Sequence, residues 1–455
     1  MSLTPPRLLL IGLDGVNLHL LHHLLPPAVM PTLRGLMAGG AAGPLTSVFP
    51  THSAAAWASF VTGQTPAGHG VFDFMARQSD GRYRHAQPDP QTTLWHTLGQ
   101  AGYRGGVLNF PVTYPPMPVN GWLVSGMLSP NLDTFTYPAE LAGELKAAFP
   151  DYLLDVEWKL FDGDPVGLLS KLTAMTQQRG RVARYLLAGE PLDYLAVAFI
   201  ATDRAQHALW RYLEPDHPYF DAKAAEWLRP ALHHFYHTLD EAVAGLLDCV
   251  EPETTVIVLS DHGFQSAAWQ FHANDWLAQQ GWLVYEQGRR QVERLLRRLD
   301  APAVQQFRRR LFPNVSRYIA SLAPGGVVDW TRTRAFCPWN FHQGIRLNLR
   351  GRDPGGIVDC GDAPQSLRDV STALLESRHP STGLPVVASV YHTAELYAGP
   401  YLAAMPDLVF DLRPNFAPGL HRQTLFEPTG WASGDHAREG FIVIQGAGVP
   451  AGTLV

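Results

Sequence analysis

Continuous apolar runs of strand length, rather than alternating ones, mark the clearest predicted strands of this chain. They cover residues 8–13, 194–200 and 255–259. Runs that are apolar at every position are typical of strands buried on both faces, as in parallel sheets. Shorter predicted strands lie at residues 41–48, 105–109, 386–391, 407–411 and 441–444.

Segments with helical periodicity separate these strands. The main predicted helices cover residues 94–100, 139–148, 166–187, 224–250 and 366–377. This alternation predicts an α/β fold around a largely parallel central sheet. Residues 109–137 are rich in Pro, Asn, Gly and aromatic residues, so we predict an ordered loop of the kind that lines binding sites.

A change in composition suggests the domain organisation. From residue 287 to about 323, arginine and leucine dominate, which indicates an inserted helical cap or arm. We therefore predict a catalytic α/β core at 1–286, a helical insertion at 287–335 and a return to the core at 336–455.

Composition excludes several classes of protein. The 455 residues carry a formal net charge of −6, which gives no support for binding nucleic acid or an anionic membrane. The apolar run at 8–13 is too short for a signal segment or a membrane span. The three cysteines are far apart, which fits a reducing compartment. We predict a soluble cytoplasmic protein with a small-molecule substrate, and a homodimer stays open.

The stretch 44–70 contains a serine at the predicted start of a helix. Ser53 precedes three alanines, and Gly63 is a suitable helix end. Ser is a preferred N-cap, and the N–H groups and dipole at a helix start favour phosphate. Taken alone, this pattern favours a capping serine over a catalytic one.

Three aspartates follow the three clearest strands. Asp14, Asp203 and Asp261 lie one to three residues beyond the strand ends, where open α/β sheets bind ligands. Carboxylates gathered there would repel one another unless cations were present. The pattern therefore indicates a metal site, and the alternative is that each Asp caps a helix or turn.

Histidines accompany these aspartates. His207 is four residues after Asp203 and shares a helical face with it, while His262 directly follows Asp261. His436 lies just before the last predicted strand. Such oxygen and nitrogen donors favour Zn²⁺, with Mn²⁺ or Fe as alternatives. Six of them could hold two ions about 4 Å apart, as in two-metal hydrolases.

Together these motifs resemble the alkaline phosphatase superfamily. The segments that carry the resemblance are LLLIGLDG, FPTHSAAAWASFVTGQTPAGHGVFDF, the Asp203–His207 pair, LSDHGF and GDHAREGFIV. Within it, the chain resembles the nucleotide pyrophosphatase/phosphodiesterase branch and its predicted cytoplasmic phosphohydrolase/phosphomutase relatives. The resemblance implies a three-layer α/β/α sandwich.

The resemblance also implies a two-metal site. One ion would be held by Asp203, His207 and His436. The other would be held by Asp14, Asp261 and His262, together with the oxygen of Ser53. Ser53 matches the nucleophile of the family, with Thr51 as the rival, and the phosphoserine that it forms would be hydrolysed in a second step.

One position departs from the pattern of the phosphodiesterases. They place an Asn after the HG of this stretch to bind a phosphate oxygen, and here Phe74 stands in its place. Asn109, Asn340 or His342 could supply a replacement donor, although each could instead be structural.

The expected activity is metal-dependent hydrolysis of phosphate esters, diesters first and monoesters second. Sulfate esters are disfavoured because the nucleophile segment contains no Cys. A phosphomutase is the nearest rival, with the predicted insertion as its cap. A metal-binding pseudoenzyme is the alternative outside the enzyme class.

Overall fold

The computed structural model describes residues 6–77, 82–286, 328–338, 340–419 and 424–453. Its contacts divide the chain into two compact units. The first consists of Met1–Ala268, Tyr397–Leu402 and Thr429–Val455, and the second of Trp269–Leu396 and Ala403–Pro428. Residues 287–327 of the predicted helical insertion at 287–335 lie outside the described residues. The insertion therefore stays a prediction.

Strands and helices are numbered here in chain order along the described residues. The strands are β1 (Leu8–Leu13), β2 (Ala41–Thr46), β3 (Met75–Arg77), β4 (Tyr83–His85), β5 (Gly105–Leu108), β6 (Gly121–Val124), β7 (Thr136–Tyr137), β8 (Tyr194–Phe199), β9 (Thr255–Leu259), β10 (Gly263–His272), β11 (Ala335–Phe336), β12 (Gly344–Leu347), β13 (Val387–His392), β14 (Leu408–Leu412), β15 (Asn415–Gly419), β16 (Phe426–Pro428), β17 (Gly434–Ala437) and β18 (Glu439–Gln445). The α-helices are α1 (Pro31–Gly39), α2 (Ser53–Thr62), α3 (Pro66–His69), α4 (Leu94–Gln100), α5 (Leu141–Ala148), α6 (Pro165–Leu187), α7 (Ala201–Leu213), α8 (Ala222–Leu247), α9 (Ala273–Gln279), α10 (Ala363–Leu375) and α11 (Thr393–Leu396). Short π or 3-10 turns occupy Leu20–Leu24, Pro27–Val29, Pro90–Thr92, Trp158–Phe161 and Leu402–Ala404.

An eight-stranded sheet forms the centre of the first unit. Its strand order is β2-β18-β9-β1-β8-β5-β6-β7. Strands β9, β1, β8, β5 and β6 pair in parallel, whereas β18 and β7 pair antiparallel with their neighbours. The continuous apolar runs form the middle of this sheet, as predicted, because strands with a neighbour on each side and helices on both faces are largely shielded from water.

Alternate residues of the central strands contact two separate apolar clusters, one on each face of the sheet. Leu9 and Ile11 of β1 join the cluster that contains helices α6, α7 and α8. Leu10 joins the cluster that contains Trp57 of α2 and Trp95 of α4. Successive strand residues point to opposite faces, so this division follows from the period of two. The result is the predicted sandwich of helices, sheet and helices.

Segment 109–137 differs from its prediction. It contains β6 and β7, which extend one edge of the central sheet, instead of being loop throughout. These strands have only four and two residues and stand among prolines and asparagines. Pairing of β6 with β5 and of β7 with β6 decided their conformation, and local composition does not reveal such pairing.

The second unit contains a smaller sheet with the order β11-β12-β14-β13. Its strands pair antiparallel, and its buried cluster includes Val370 and Leu374 of α10 and Phe410 of β14. The predictions at 366–377, 386–391 and 407–411 agree with α10, β13 and β14 to within a few residues. Across the described chain, no helix has both the length and the apolarity needed to span a bilayer.

Candidate two-metal centre

Three neighbouring parallel strands bring three carboxylates to one edge of the central sheet. Asp14 directly follows β1, Asp261 follows β9, and Asp203 lies in the first turn of α7, which begins immediately after β8. The sheet order places β1 between β9 and β8. All three side chains are buried, with exposed fractions of 1%, 7% and 1% for Asp14, Asp261 and Asp203.

The structure gathers six of the predicted ligands into two groups, each with ligand atoms within 4.8 Å of one another. The Asp14 group consists of Asp14, Asp261 and His262. The Asp203 group consists of Asp203, His207 and His436. These are the two sets that the family resemblance implied.

The Asp203 group depends on two different kinds of local structure. Asp203 and His207 are four residues apart on α7, and the carboxylate Oδ1 lies 3.4 Å from the imidazole Nε2. His436 comes from β17, which pairs antiparallel with β10. Its Nε2 lies 3.2 Å from the same Oδ1 of Asp203 and 3.1 Å from Nε2 of His207.

Ser53 lies beside the Asp14 group. Its Oγ is 3.1 Å from Nε2 of His262 and 3.4 Å from Oδ1 of Asp14. The N-cap of α2 is His52, whose Nδ1 accepts a bond of 3.3 Å from the backbone N–H of Ala54. The expectation that Ser53 itself caps the helix was therefore wrong, because the helix begins at Ser53 and its hydroxyl points to the ligand group.

Thr51, the rival nucleophile, has a different position. Its hydroxyl donates to the carbonyl of Val48 at 3.2 Å, and its own carbonyl lies 3.0 Å from Nδ1 of His436. The hydroxyl is thus engaged with the backbone of its own turn. The geometry favours Ser53 as the residue that presents an oxygen to the Asp14 group.

All three histidines of the groups are oriented in the same way. Nδ1 of His262 lies 3.1 Å from the carbonyl of Gly263, and Nδ1 of His207 lies 3.1 Å from that of Gly434. Nδ1 of His436 faces the carbonyl of Thr51. A carbonyl can only accept, so each Nδ1 carries a proton, and each Nε2 can offer a lone pair to a metal ion once it carries none. This arrangement is typical of histidines that bind metals.

Burial without compensating cations shapes the electrostatics of the Asp14 group. Burial raises the pKa of Asp14 well above its ordinary value, and the charges of Asp261 and Asp203 add to the effect. Burial and the Asp203 charge raise the pKa of Asp261 to about 8. Among the described residues, the buried Oδ2 of Asp261 has no hydrogen-bond partner. Burial and the nearby His436 lower the pKa of His262 well below its usual value.

In the Asp203 group the charged forms of the side chains are favoured, in contrast to the Asp14 group. Burial opposes ionisation of Asp203, but His207 and Arg204 outweigh it and lower the pKa of this carboxyl well below its ordinary value. Burial also opposes a charge on His436, yet the hydrogen bond and charge of Asp203 raise its pKa to about 9. Crowded carboxylates and facing Nε2 atoms are satisfied together by cations, so the donors fit two divalent ions.

Sequence reasoning missed three side chains that contact the predicted ligands. Arg204 bonds both Asp203 and Asp155, and the ring of Trp158 stacks on that of His207. Trp57 of α2 is buried in the core and also donates from Nε1 to Oδ2 of Asp14 at 3.0 Å. Apart from the pair of neighbours Asp203 and Arg204, these contacts join residues that are distant in the sequence, so no local signal identifies them.

The three predicted substrate-binding residues are not members of the two ligand groups. The buried Asn109 donates from its amide to the carbonyl of Ser125 at 2.8 Å, and its oxygen accepts from Tyr152, so both ends of the amide are engaged. Asn340 and His342 belong to the second unit. Phe74, in the place of the family Asn, packs edge-on against His52 with ring centroids 4.8 Å apart.

Comparison with known proteins identifies the family. The type I phosphodiesterase/nucleotide pyrophosphatase family matches residues 8–437. The chain belongs to this family. As a member of the type I phosphodiesterase/nucleotide pyrophosphatase family it is a hydrolase that acts on phosphoric ester bonds. No curated protein sequence matches it significantly.

Two solved complexes of one enzyme show the same fold at low sequence identity. Phosphonoacetate hydrolase from Sinorhizobium meliloti 1021, in complex with phosphonoacetate, is 14% identical with a TM-score of 0.55, over 99% of this chain and 95% of that one. Its complex with phosphonoformate is 15% identical with a TM-score of 0.52 and the same coverage. Human ectonucleotide pyrophosphatase/phosphodiesterase 5 is 13% identical with a TM-score of 0.47, over 97% of this chain and 88% of that one.

Proposed function

We propose that this protein hydrolyses phosphoric diesters or pyrophosphates through a phosphoserine at Ser53, with one divalent ion at each ligand group. The observation that carries the proposal is the shared orientation of the three histidines. Each holds its Nδ1 proton against a backbone carbonyl and aims Nε2 at the centre beside Ser53. Core histidines have no reason to share this orientation, whereas metal ligands do.

The reaction has two steps at phosphorus. In the first, Oγ of Ser53 loses its proton and forms a bond to phosphorus while the bond to the leaving oxygen breaks, and that oxygen takes up one proton in exchange. In the second, the oxygen of water forms a bond to phosphorus, the Oγ–phosphorus bond breaks and the serine hydroxyl is restored. Ser53 is the first residue of α2, and N–H groups at a helix start can donate to phosphate oxygens, although that of Ala54 already donates to Nδ1 of His52.

Divalent ions at the two groups would lower the pKa of the serine hydroxyl and stabilise charge on the phosphate and the leaving oxygen. We propose zinc, because mixed carboxylate and imidazole donors in groups of three suit it best. The protein itself holds the carboxylate and imidazole ligands in place for the ions. Burial excludes water from the carboxylates, and the backbone carbonyls keep each imidazole in one tautomer.

The test compares metal-free and metal-loaded protein. Protein dialysed against a chelator is assayed with bis-p-nitrophenyl phosphate and p-nitrophenyl phosphate, before and after addition of Zn²⁺ or Mn²⁺. We expect metal-dependent turnover with the diester preferred. A preference for the monoester would move the assignment to a phosphomonoesterase. Absence of turnover with two bound ions would favour the pseudoenzyme, and full activity of Ser53→Ala would exclude the phosphoserine.

A further inference from the structure

The guanidinium of Arg204 joins a ligand of the Asp203 group to a second, unassigned carboxylate. Its Nε and Nη2 donate to the two oxygens of Asp155, both at 3.0 Å, which is a bidentate fork. Its Nη1 donates to Oδ2 of Asp203. The exposed fraction of its side chain is 14%, so these bonds are screened little by solvent.

This contact divides the two oxygens of Asp203 between two tasks. Arg204 occupies Oδ2, while Oδ1 is the oxygen that faces Nε2 of both His207 and His436. The carboxylate is thereby held in one rotamer, with one oxygen free for a metal. Asp155 also has an electrostatic role, because one guanidinium between two carboxylates leaves the trio with a net negative charge.

Asp155 lies on a segment that is itself fixed to the central sheet. The wholly buried Arg179 donates from Nη1 to the carbonyl of Ala198 on β8 at 2.9 Å. Its Nη2 lies 3.4 Å from the carbonyls of both Leu153 and Leu154. The backbone just before Asp155 is therefore tied to the strand that leads into Asp203.

The same segment contacts a second member of the group. Trp158 stacks on His207 with an interplanar angle of 7° and ring centroids 5.3 Å apart. A stacked ring restrains the rotation of the imidazole, whose Nδ1 is already fixed by the carbonyl of Gly434. Residues 152–158 thus support two of the three ligands, Asp203 through Arg204 and His207 directly.

We propose that Arg204, anchored by Asp155, is a positioning residue that presents Oδ1 of Asp203 to the metal ion of the Asp203 group. The inference rests on the proposed two-metal function, and it assigns to Arg204 no contact with substrate. Outer partners of metal ligands commonly contribute about 10- to 100-fold in metal affinity. We expect Arg204→Gln to weaken zinc binding at the Asp203 group by about that factor and to leave the Asp14 group unchanged.

The experiment is a calorimetric titration of metal-free protein with Zn²⁺, with the two binding steps assigned by variants. His207→Ala should abolish the step of the Asp203 group, and His262→Ala that of the Asp14 group. Arg204→Gln and Asp155→Asn are then titrated alongside the wild type, with melting temperatures measured in parallel. Both variants should weaken only the step that His207→Ala removes.

A matched control is Arg346→Gln in the second unit. Arg346 has an exposed fraction of 13% and pairs with Asp353 at 2.8 Å, so its environment is similar to that of Arg204. It should change the melting temperature without changing either zinc step. Equal weakening of both steps in Arg204→Gln, together with a lower melting temperature, would indicate a merely structural role and overturn the proposal.

The remaining outcomes separate this proposal from the one on which it rests. If the wild type binds two ions and Arg204→Gln binds both with unchanged affinity, the positioning role is wrong and the two-metal function stands. If the wild type binds no zinc, the two-metal function is wrong, and the positioning role that rests on it is wrong as well. Should Arg204→Gln not fold, Asp155→Asn decides by the same criterion, since it removes the charge that anchors the guanidinium.

Discussion

Oγ of Ser53 lies 3.1 Å from Nε2 of His262, although 209 positions separate the two residues along the chain. The contact joins the first residue of α2 to the turn after β9, on which Asp261 also lies. Because Nδ1 of His262 faces the carbonyl of Gly263, the lone pair of Nε2 is directed toward the serine. This pairing places the proposed nucleophile at the ligand group.

Replacing the nucleophile should separate catalysis from metal binding. We expect Ser53→Ala to lower kcat for bis-p-nitrophenyl phosphate by at least about 10³-fold, because loss of a covalent nucleophile removes the whole two-step pathway. Its zinc content, measured by elemental analysis, should stay at two ions. Thr51→Ala is the control and should retain most of the activity; a larger loss in that variant than in Ser53→Ala would transfer the nucleophile to Thr51.

Removal of metal should lower stability as well as activity. The three crowded carboxylates repel one another in the metal-free state, and ligands that bind only the folded state stabilise it by mass action. At zinc concentrations about 100 times the dissociation constant, the gain is about 2.7 kcal/mol per site. We expect the melting temperature to rise on addition of Zn²⁺, measured by calorimetry. The combined His207→Ala and His262→Ala variant should lose this response, and a response as large as that of the wild type would contradict the assignment of the ligands.

Gly12 in β1 is required by the tryptophan that supports Asp14. A Cβ at this position would lie 2.5 Å from a ring carbon of Trp57, which is wholly buried and donates to Asp14. Overpacking of this kind costs about 1–3 kcal/mol, so we expect Gly12→Ala to lower the free energy of unfolding by that amount in urea titrations. Gly35→Ala in α1 is the matched control, since its Cβ would have no neighbour within 4 Å. An equal loss in both variants would argue against the packing explanation.

His69 should make stability depend on pH below neutrality. Its Nδ1 accepts from the N–H of Val71 at 3.0 Å, and burial lowers its pKa from 6.5 to about 4. Between these values the unfolded chain binds a proton that the folded chain does not. Stability from this group is therefore complete above pH 6.5 and falls as the pH drops toward 4. We expect a loss of about 2 kcal/mol in the free energy of unfolding between pH 7 and pH 5.

The control for this prediction is His69→Gln, which has no titrating group at the position. Other histidines titrate in both proteins, so the difference between the two pH profiles isolates His69. The difference in the free energy of unfolding should shrink as the pH falls. Only the wild type must keep the ring of residue 69 unprotonated in the folded state while the unfolded chain binds a proton there. Parallel profiles would show that His69 contributes nothing to the pH dependence.

The amino-acid sequence determined the central strands and the edge at which the chemistry gathers. The apolar runs of β1, β8 and β9 are continuous because these strands are largely buried on both faces, and Asp14, Asp203 and Asp261 lie one, four and two residues beyond their ends. Local periodicity also placed His207 on the face of Asp203. These features depend on near neighbours in the chain, and hydrophobic patterning reports them directly.

Only the tertiary structure decided which distant residues complete the centre and its support. Pairing of β17 with β10 brings His436 to Asp203, a contact that the sequence indicated by family resemblance and not by any local pattern. The fork between Arg204 and Asp155 had no sequence signal at all. His52, and not Ser53, caps helix α2. The hydroxyl of Ser53 is therefore directed at the ligands. Such contacts depend on strand register and burial across hundreds of residues, and local propensity does not contain that information.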